Sequence, residues 1–316
     1  MAMERWTNCN EVNPEFADSV VTIGKFDGVH LGHQTLIHEA LTIADEHSLA
    51  TIVLTFDRNP AELLAGAYPT APLTGPNQKA ELIESLGVDA LITLTFDEAL
   101  ANMPAEQFID EILVDALRAR AIVVGQGFRF GAGGEGDVAL LRLMGMERGF
   151  VVREVRHAEV GGRKISSTAI RAALDAGDVA AAAAMLGRNH RVRGVIEHGK
   201  KLGRTIGFPT ANMSRSAEGY LPLDAVYSGW LRVCNPSGAA MPAALSVGIN
   251  ETFEAVPRVL EAYVLDRDDL DLYDLEVELE FVEFVRPTLK FDSIEALIVA
   301  INDDVSKVRL QLNPFA

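Results

Sequence analysis

The chain has 316 residues, long enough for two ordinary domains each with its own core. Its 45 acidic against 28 basic residues give a formal net charge of −17, which argues against nucleic-acid partners, whose binding depends on cations releasing counterions. No apolar run is long enough to span a bilayer, residues 1–15 lack the apolar core of a secretory signal, and the two cysteines, Cys9 and Cys234, read as thiols rather than a disulfide, so a cytoplasmic protein without a membrane partner is expected.

Val20 to Ile23 reads as a short buried strand, β-branched and ended by Gly24. Asp27-Gly28 is turn chemistry, and from Leu31 to Glu46 apolar residues recur at helical spacing (Leu36, Ile37, Ala40, Leu41, Ala44). His30 and His33 therefore stand at a strand-to-helix corner, on one face of the first turn, with Gly32 between them permitting close approach. Two imidazoles beside free helix-start amides make a site for phosphate oxygens. The alternatives are a capping His with a solvated neighbour, and a zinc site, for which the usual i, i+4 spacing with an acidic partner is absent.

Strands are expected at Ala50–Phe56, Ala90–Leu94, Ala121–Gly125 and Phe150–Val155, with helices at Asn77–Leu86, Pro104–Leu117 and Val138–Arg148 between them. That alternation predicts a doubly wound parallel sheet, with ligands beyond the carboxyl ends of its strands. Gly131 to Gly136 has the form Gly-x-Gly-x-x-Gly, but the strand stops near Gly125 and Phe128-Arg-Phe130 intervenes. It reads as a loop beside the site rather than a dinucleotide fingerprint. Phe128 and Phe130 either pack on a flat ring or belong to the core.

In Ile165-Ser-Ser-Thr168-Ala-Ile-Arg171, Ser167 is the expected N-cap of a helix over Thr168–Ala176 that Gly177 stops. Ser167, Thr168 and Arg171 again suit phosphate. Ala180 to Leu186 ends this helical unit. Residues 188–204 then hold six Lys or Arg against one acid, Glu197. That shift puts a boundary near Leu186 and divides the chain into domains 1–186 and 187–316. In Gly199-Lys200-Lys-Leu-Gly203-Arg-Thr-Ile-Gly207-Phe-Pro209-Thr210-Ala-Asn212, glycines free the backbone to wrap phosphate. Thr210 and Asn212 offer oxygen ligands suited to Mg²⁺. Strands at Val192–Glu197, Tyr227–Val233, Ala243–Val247, Val259–Val264 and Glu276–Val285 follow without intervening helices, which predicts a small antiparallel barrel. Ser293 caps a closing amphipathic helix whose apolar positions run from Ile294 to Leu312. Periodicity alone puts Glu261, between Leu260 and Ala262, on a wet face.

Gly24-Lys-Phe26-Asp27-Gly28-Val-His30-Leu-Gly-His33-Gln resembles the opening motif of the bacterial bifunctional riboflavin kinase/FAD synthetases, whose N-terminal half is an α/β nucleotidyltransferase domain. Phe128-Arg129-Phe-Gly131 with Gly136-Asp137 resembles that family's loop, and Ile-Ser-Ser-Thr-x-x-Arg171 its grip on the ATP triphosphate. Gly207-x-Pro209-Thr210-Ala-Asn212 resembles the riboflavin kinase motif, and Arg258-x-x-Glu261-x-x-x-Leu-Asp266 the stretch carrying the kinase carboxylate. The match extends to Leu272-Tyr273, Arg286 and Lys290-Phe291. The resemblance implies phosphorylation of riboflavin by ATP to FMN in a riboflavin kinase-like barrel. Adenylylation of FMN to FAD, releasing pyrophosphate, follows in the N-terminal domain. It implies His30 and His33 as catalytic groups of the second step and Glu261 as base of the first. It puts Gly24, Phe26, Asp27, Gly28, Ser167, Thr168, Arg171, Gly199, Lys200, Gly203, Thr210 and Asn212 on ATP, the last two also on Mg²⁺, and Phe56, Phe128, Arg129, Tyr273 and Arg286 on flavin. A monomer or weak oligomer is expected. The alternative is a single-activity nucleotidyltransferase with a flavin-sensing barrel. Five positions depart from the family pattern: Asn59 for His, Gly127 for Asn or Asp, Ala225 for Gly, Glu251 for Pro and Asp274 for Gly.

Overall fold

The structure, a computed structural model, describes residues 2–13, 16–58, 71–198, 203, 207–235, 238–248 and 258–312. Asn59, Gly199, Lys200 and Glu251 lie outside the described residues. The chain forms two compact units, Met1–Thr70 with Pro76–Ile165, and Ala71–Gly75 with Ser166–Ala316. Among the described residues no helix is long and apolar enough to cross a membrane.

The first unit is a six-stranded sheet of β1 (Glu4–Trp6), β2 (Ser19–Ile23), β3 (Ala50–Phe56), β4 (Ala90–Leu94), β5 (Ala119–Gly125) and β6 (Val151–Val155) in the order β1-β4-β3-β2-β5-β6. All its pairings are parallel. Its helices are α1 (Leu31–His47), α2 (Pro76–Glu84), α3 (Glu98–Ala101), α4 (Ala105–Gln107, continued by π-helical turns over Phe108–Ala116) and α5 (Val138–Arg148). The helices cover both faces: Ile23, Leu54, Ile92 and Ile122 pack with Ile109 and Leu113 in one cluster, and Val53 with Ile37 and Ile83 in another. All of β2 is buried, as a central parallel strand requires. Because the chain runs outward from β2 through β3 to β4 and then returns to β5 on β2's other side, the order reverses between β2 and β5. That is the switch point where such sheets bind ligands.

β1 was not expected. It is three residues long, begins with two charged ones and has no readable alternation, yet it pairs along β4 and buries Trp6 against Phe16 (4.9 Å, edge-on). A short hairpin, β7 (Glu159–Val160) and β8 (Arg163–Lys164), turns on Gly161 and Gly162, both at positive φ.

By compactness the second unit takes in α6 (Ser167–Asp175) and α7 (Val179–Leu186) ahead of its strands. Six strands follow: β9 (His190–Glu197), β10 (Ala211–Met213), β11 (Ala225–Val233), β12 (Met241–Gly248), β13 (Val259–Val264) and β14 (Glu276–Pro287). They close a barrel in the order β10-β13-β12-β11-β14-β9, antiparallel throughout. Tyr227, Leu245, Leu279 and Phe281 fill its core, joined by Leu73, Ile170 and Leu174. The closing helix α8 (Ile294–Leu312) buries Val305, Val308 and Leu312, but Ile294, expected on its apolar face, is 60% exposed. The packed part of the helix begins at Ile301, which lies against the same cluster.

Candidate active sites

In the first unit, β2 ends at the switch point and its chain turns through Phe26–Val29, closed by Val29 N–H donating to the Phe26 carbonyl (3.1 Å). Phe26, Gly28 and Val29 all have positive φ. Glycine adopts this freely, but a buried, β-branched Val29 does so only under strain of about 1–3 kcal/mol, the kind stored where a functional side chain must be aimed. The side chain so aimed is His30. Its Nδ1 accepts from the His33 N–H (3.3 Å) and caps α1. A neutral imidazole accepting at Nδ1 carries its proton on Nε2.

His30 and His33 stack (centroids 3.6 Å apart, planes at 12°), and the Phe26 ring leans on His33 at 5.1 Å. A Cβ on Gly32 would press on the His30 ring at 3.2 Å, so glycine is what lets that imidazole fold back over its own helix. The His33 Nδ1 is sealed from solvent with no hydrogen-bond partner. Burial, then the neighbouring His30 and Lys79, push His33 well below its ordinary pKa. His30 therefore does cap the helix, while His33 is packed against it rather than solvated. Phe26, expected on ATP, has its ring in the core; any contact it makes with ligand is through its backbone. Gly24 lies against the same ring, a Cβ there meeting it at 3.2 Å. Asp27 is half-buried in the turn.

At the ends of the neighbouring strands, half-buried Phe56 packs edge-on to Phe96 (5.4 Å), and half-buried Phe128 stacks on Phe130 (5.6 Å, 15°). Arg129 is exposed, 3.8 Å from Asp137. The glycine loop beyond is built for packing: a Cβ on Gly131 or Gly136 would stand 2.7 Å from the Cβ of Ala105. The strand ends at Gly125 and the next helix begins at Val138, so these glycines do not form the strand-to-helix turn that a dinucleotide fingerprint requires. Gly127 has φ +73 with open space around it, a conformation Asn also tolerates. A residue at this corner that sequence reasoning missed is Lys79, on α2, whose Nζ reaches the Thr55 hydroxyl (3.4 Å) and the Phe56 carbonyl (3.3 Å). A lysine in a helical pattern reads as solvated, and no local signal distinguishes it.

In the second unit the N-cap of α6 is Ser166, not Ser167: its Oγ accepts from the Ala169 N–H (3.1 Å), and its extended backbone (φ −158) precedes the first helical residue. Ser167 and exposed Thr168 thus supply the helix-start amides. Arg171 donates to the Ala71 carbonyl (2.9 Å) and lies over the Tyr220 ring at 5.5 Å.

The barrel brings three expected residues together. Asn212 on β10 sits directly across the ladder from Glu261 on β13, and the Thr210 hydroxyl donates to the Glu261 carboxylate. Burial raises the Glu261 pKa, with that hydrogen bond opposing. A cleft beside them is lined by Gly203, Pro209, Thr210, Arg267, Asp268 and Tyr273, the last packed on His198 at 3.9 Å between ring centroids. A Cβ on Gly203 would meet the Phe208 carbonyl at 2.3 Å, so this close approach requires glycine. Arg286 is occupied otherwise than expected. Its guanidinium holds the buried Asp304 of α8 through both oxygens (2.7–3.0 Å), so it anchors the closing helix instead of reaching the cleft. Arg258 is likewise committed to Asp224 and nearby carbonyls. Asp274 adopts φ +60, the backbone that the family's glycine would supply, and Ala225 is buried at the start of β11.

Each unit thus presents the parts of a nucleotide-handling site, and comparison with known proteins assigns the two separately. The family model described as FAD synthetase matches residues 12–169, and that described as riboflavin kinase matches residues 186–312. The chain is an enzyme with an FAD synthetase domain and a riboflavin kinase domain. The bifunctional riboflavin kinase/FMN adenylyltransferase of Haemophilus influenzae is 36% identical over 93% of this chain and 94% of its own. That of Escherichia coli K12 is 36% identical over 90% of each. The chain belongs to the bifunctional riboflavin kinase/FMN adenylyltransferase family, and a barrel that only senses flavin is not favoured. A crystal structure solved as a macrolide-efflux protein of Streptococcus pneumoniae matches 98% of this chain and 99% of its own at 30% identity, with a TM-score of 0.87.

Proposed function

We propose that the second unit phosphorylates riboflavin against Glu261 and that the first unit joins the resulting FMN to the adenylyl group of ATP at the His30–His33 corner. In the kinase step the terminal ribityl hydroxyl attacks the γ-phosphorus of ATP, ADP leaves, and Glu261 takes the hydroxyl proton. A desolvated carboxylate is more basic than one in water, which suits that task. Thr210, hydrogen-bonded to Glu261, and Asn212, facing it, offer oxygens of the kind Mg²⁺ prefers; the ion would screen phosphate charge. Gly203, with Gly199 and Lys200, serves the phosphates, and Tyr273 the flavin.

In the adenylylation step a phosphate oxygen of FMN attacks the α-phosphorus of ATP and the bond to the β-phosphate oxygen breaks, releasing pyrophosphate. Neutral imidazole donors at His30 and His33 stabilise charge on the transferring group, with the turn Gly24 to Gly28 shaping the pocket. Phe56, Phe128 and Arg129 are assigned to the flavin. The low cysteine count fits a reducing cytoplasm.

What supports this reading is the threonine–asparagine–carboxylate cluster, in which the barrel brings Glu261 beside Thr210 and Asn212, some fifty residues earlier in the chain. The test is incubation of the whole chain with riboflavin, ATP and magnesium, separating FMN, FAD and pyrophosphate. FMN should accumulate first and FAD with equimolar pyrophosphate second. No FMN removes the kinase assignment, and no FAD from supplied FMN removes the other.

A further inference from the structure

Lys79 carries an inference beyond the histidine corner. It stands in the first turn of α2 and is turned onto the sheet rim, where its half-buried ammonium reaches Thr55 Oγ1 at 3.4 Å and the Phe56 carbonyl at 3.3 Å. The Thr55 hydroxyl itself donates to the Lys25 carbonyl (3.1 Å), so one side chain links the ammonium to the turn that aims His30. Both ammonium contacts are long and go to neutral oxygens. A strongly hydrated point charge gives up much of its shell to sit there.

The surroundings keep that charge in place without neutralising it by contact. Burial works against the ammonium, while Asp27 and Asp57 favour it from a distance. Asp57 also accepts from the Phe96 N–H (2.9 Å) and faces Arg58 at 3.6 Å. On the other side His33 feels the same ammonium as a like charge, one reason its imidazole stays neutral. The fixed positive charge at this corner therefore belongs to Lys79, and the stacked imidazoles contribute hydrogen bonds. An ammonium with two weak neutral bonds, at the carboxyl end of a parallel sheet, gains most from an anionic oxygen.

We propose that Lys79 binds a phosphate oxygen of the nucleotide substrates in adenylyl transfer, exchanging its long contacts for a charge-assisted one. This rests on the first unit being the site of FMN adenylylation. The oxygen belongs to ATP or to FMN, and the kinetics separate the two. In the whole chain, Lys79→Gln and Lys79→Arg are compared with the unaltered protein for KM of ATP, KM of FMN and kcat in FAD formation. Riboflavin phosphorylation by the same samples and thermal unfolding report folding.

Lys79→Gln should raise the KM of whichever substrate supplies the oxygen by about 10- to 100-fold. Lys79→Arg should keep most of the affinity, with kinase rate and unfolding temperature unchanged in both. The proposal is overturned if Lys79→Gln leaves both KM values within twofold of the unaltered protein, on the order of 0.4 kcal/mol. It is equally overturned if both variants lose FAD formation together with thermal stability, since Lys79 would then be a structural strut. If the unaltered chain makes no FAD from FMN and ATP, the adenylylation assignment itself has failed, a result distinct from either.

Discussion

His33 shows how one side chain ties the site's chemistry to the stability of its unit. Burial, His30 and Lys79 all hold its pKa below the ordinary value of 6.5. Above that value folded and unfolded forms are both neutral, and stability does not depend on this group. As pH falls below it, the unfolded chain takes a proton that the folded imidazole refuses, so stability drops. Thermal unfolding of the first unit followed from about pH 8 to pH 5 should therefore show a decline that His33→Asn flattens. An equal slope in the variant would mean His33 accepts its proton in the folded state. The departures from the family pattern read differently at this scale. Asp274 and Gly127 both hold left-handed backbone, so at these two positions the chain keeps a conformation while changing the side chain.

Glu261 shows what strand patterning tells and where it stops. Along β13, Leu260, Ala262 and Val264 are buried and Val259, Glu261 and Tyr263 half-buried, so the alternation read from the sequence is right. What it cannot tell is what surrounds the second face: Asn212 is the cross-strand neighbour of Glu261, Thr210 hydrogen-bonds its carboxylate, and the expected wet position is desolvated. Its folded pKa is raised, so ionisation costs stability as pH rises through it, and the charge is retained for the reaction. Glu261→Gln should slow FMN formation by roughly 10²–10⁴-fold while leaving the second unit at least as stable at neutral pH. An unchanged rate would remove Glu261 from the mechanism. The parallel sheet and the barrel were legible for the same reason this strand was, since hydrophobic period and turn residues are local. The His corner and the Pro-Thr-Ala-Asn motif were legible because their chemistry is contiguous. β1 was not, being too short to show a period; nor was the Ser166 cap, because either of two adjacent serines satisfies the pattern. Lys79 and Arg286 escaped because a cation's partner, Thr55 in one case and Asp304 in the other, is chosen by packing distant in sequence.

At the scale of the molecule, the two units do not follow the chain in simple order. Ala71–Gly75 belongs to the second unit although both flanks belong to the first. Leu73 within it is fully buried with Ile170, Leu174 and the barrel residues, and the Ala71 carbonyl accepts from Arg171. A fragment cut at Gly187 accordingly loses three parts of the second core at once, this segment, α6 and α7. The contribution of the segment alone is testable in the whole chain. Leu73→Ala deletes a buried side chain and leaves a cavity, a change that costs about 2–5 kcal/mol. Because Leu73 packs in the second core, that cost should fall on riboflavin kinase activity, which should be lost at a temperature several degrees lower. FMN adenylylation should keep its original thermal inactivation profile. If adenylylation is lost at the lower temperature and the kinase is not, Leu73 supports the first unit. If both shift together, the two units unfold as one cooperative body and the compact division has no thermodynamic counterpart.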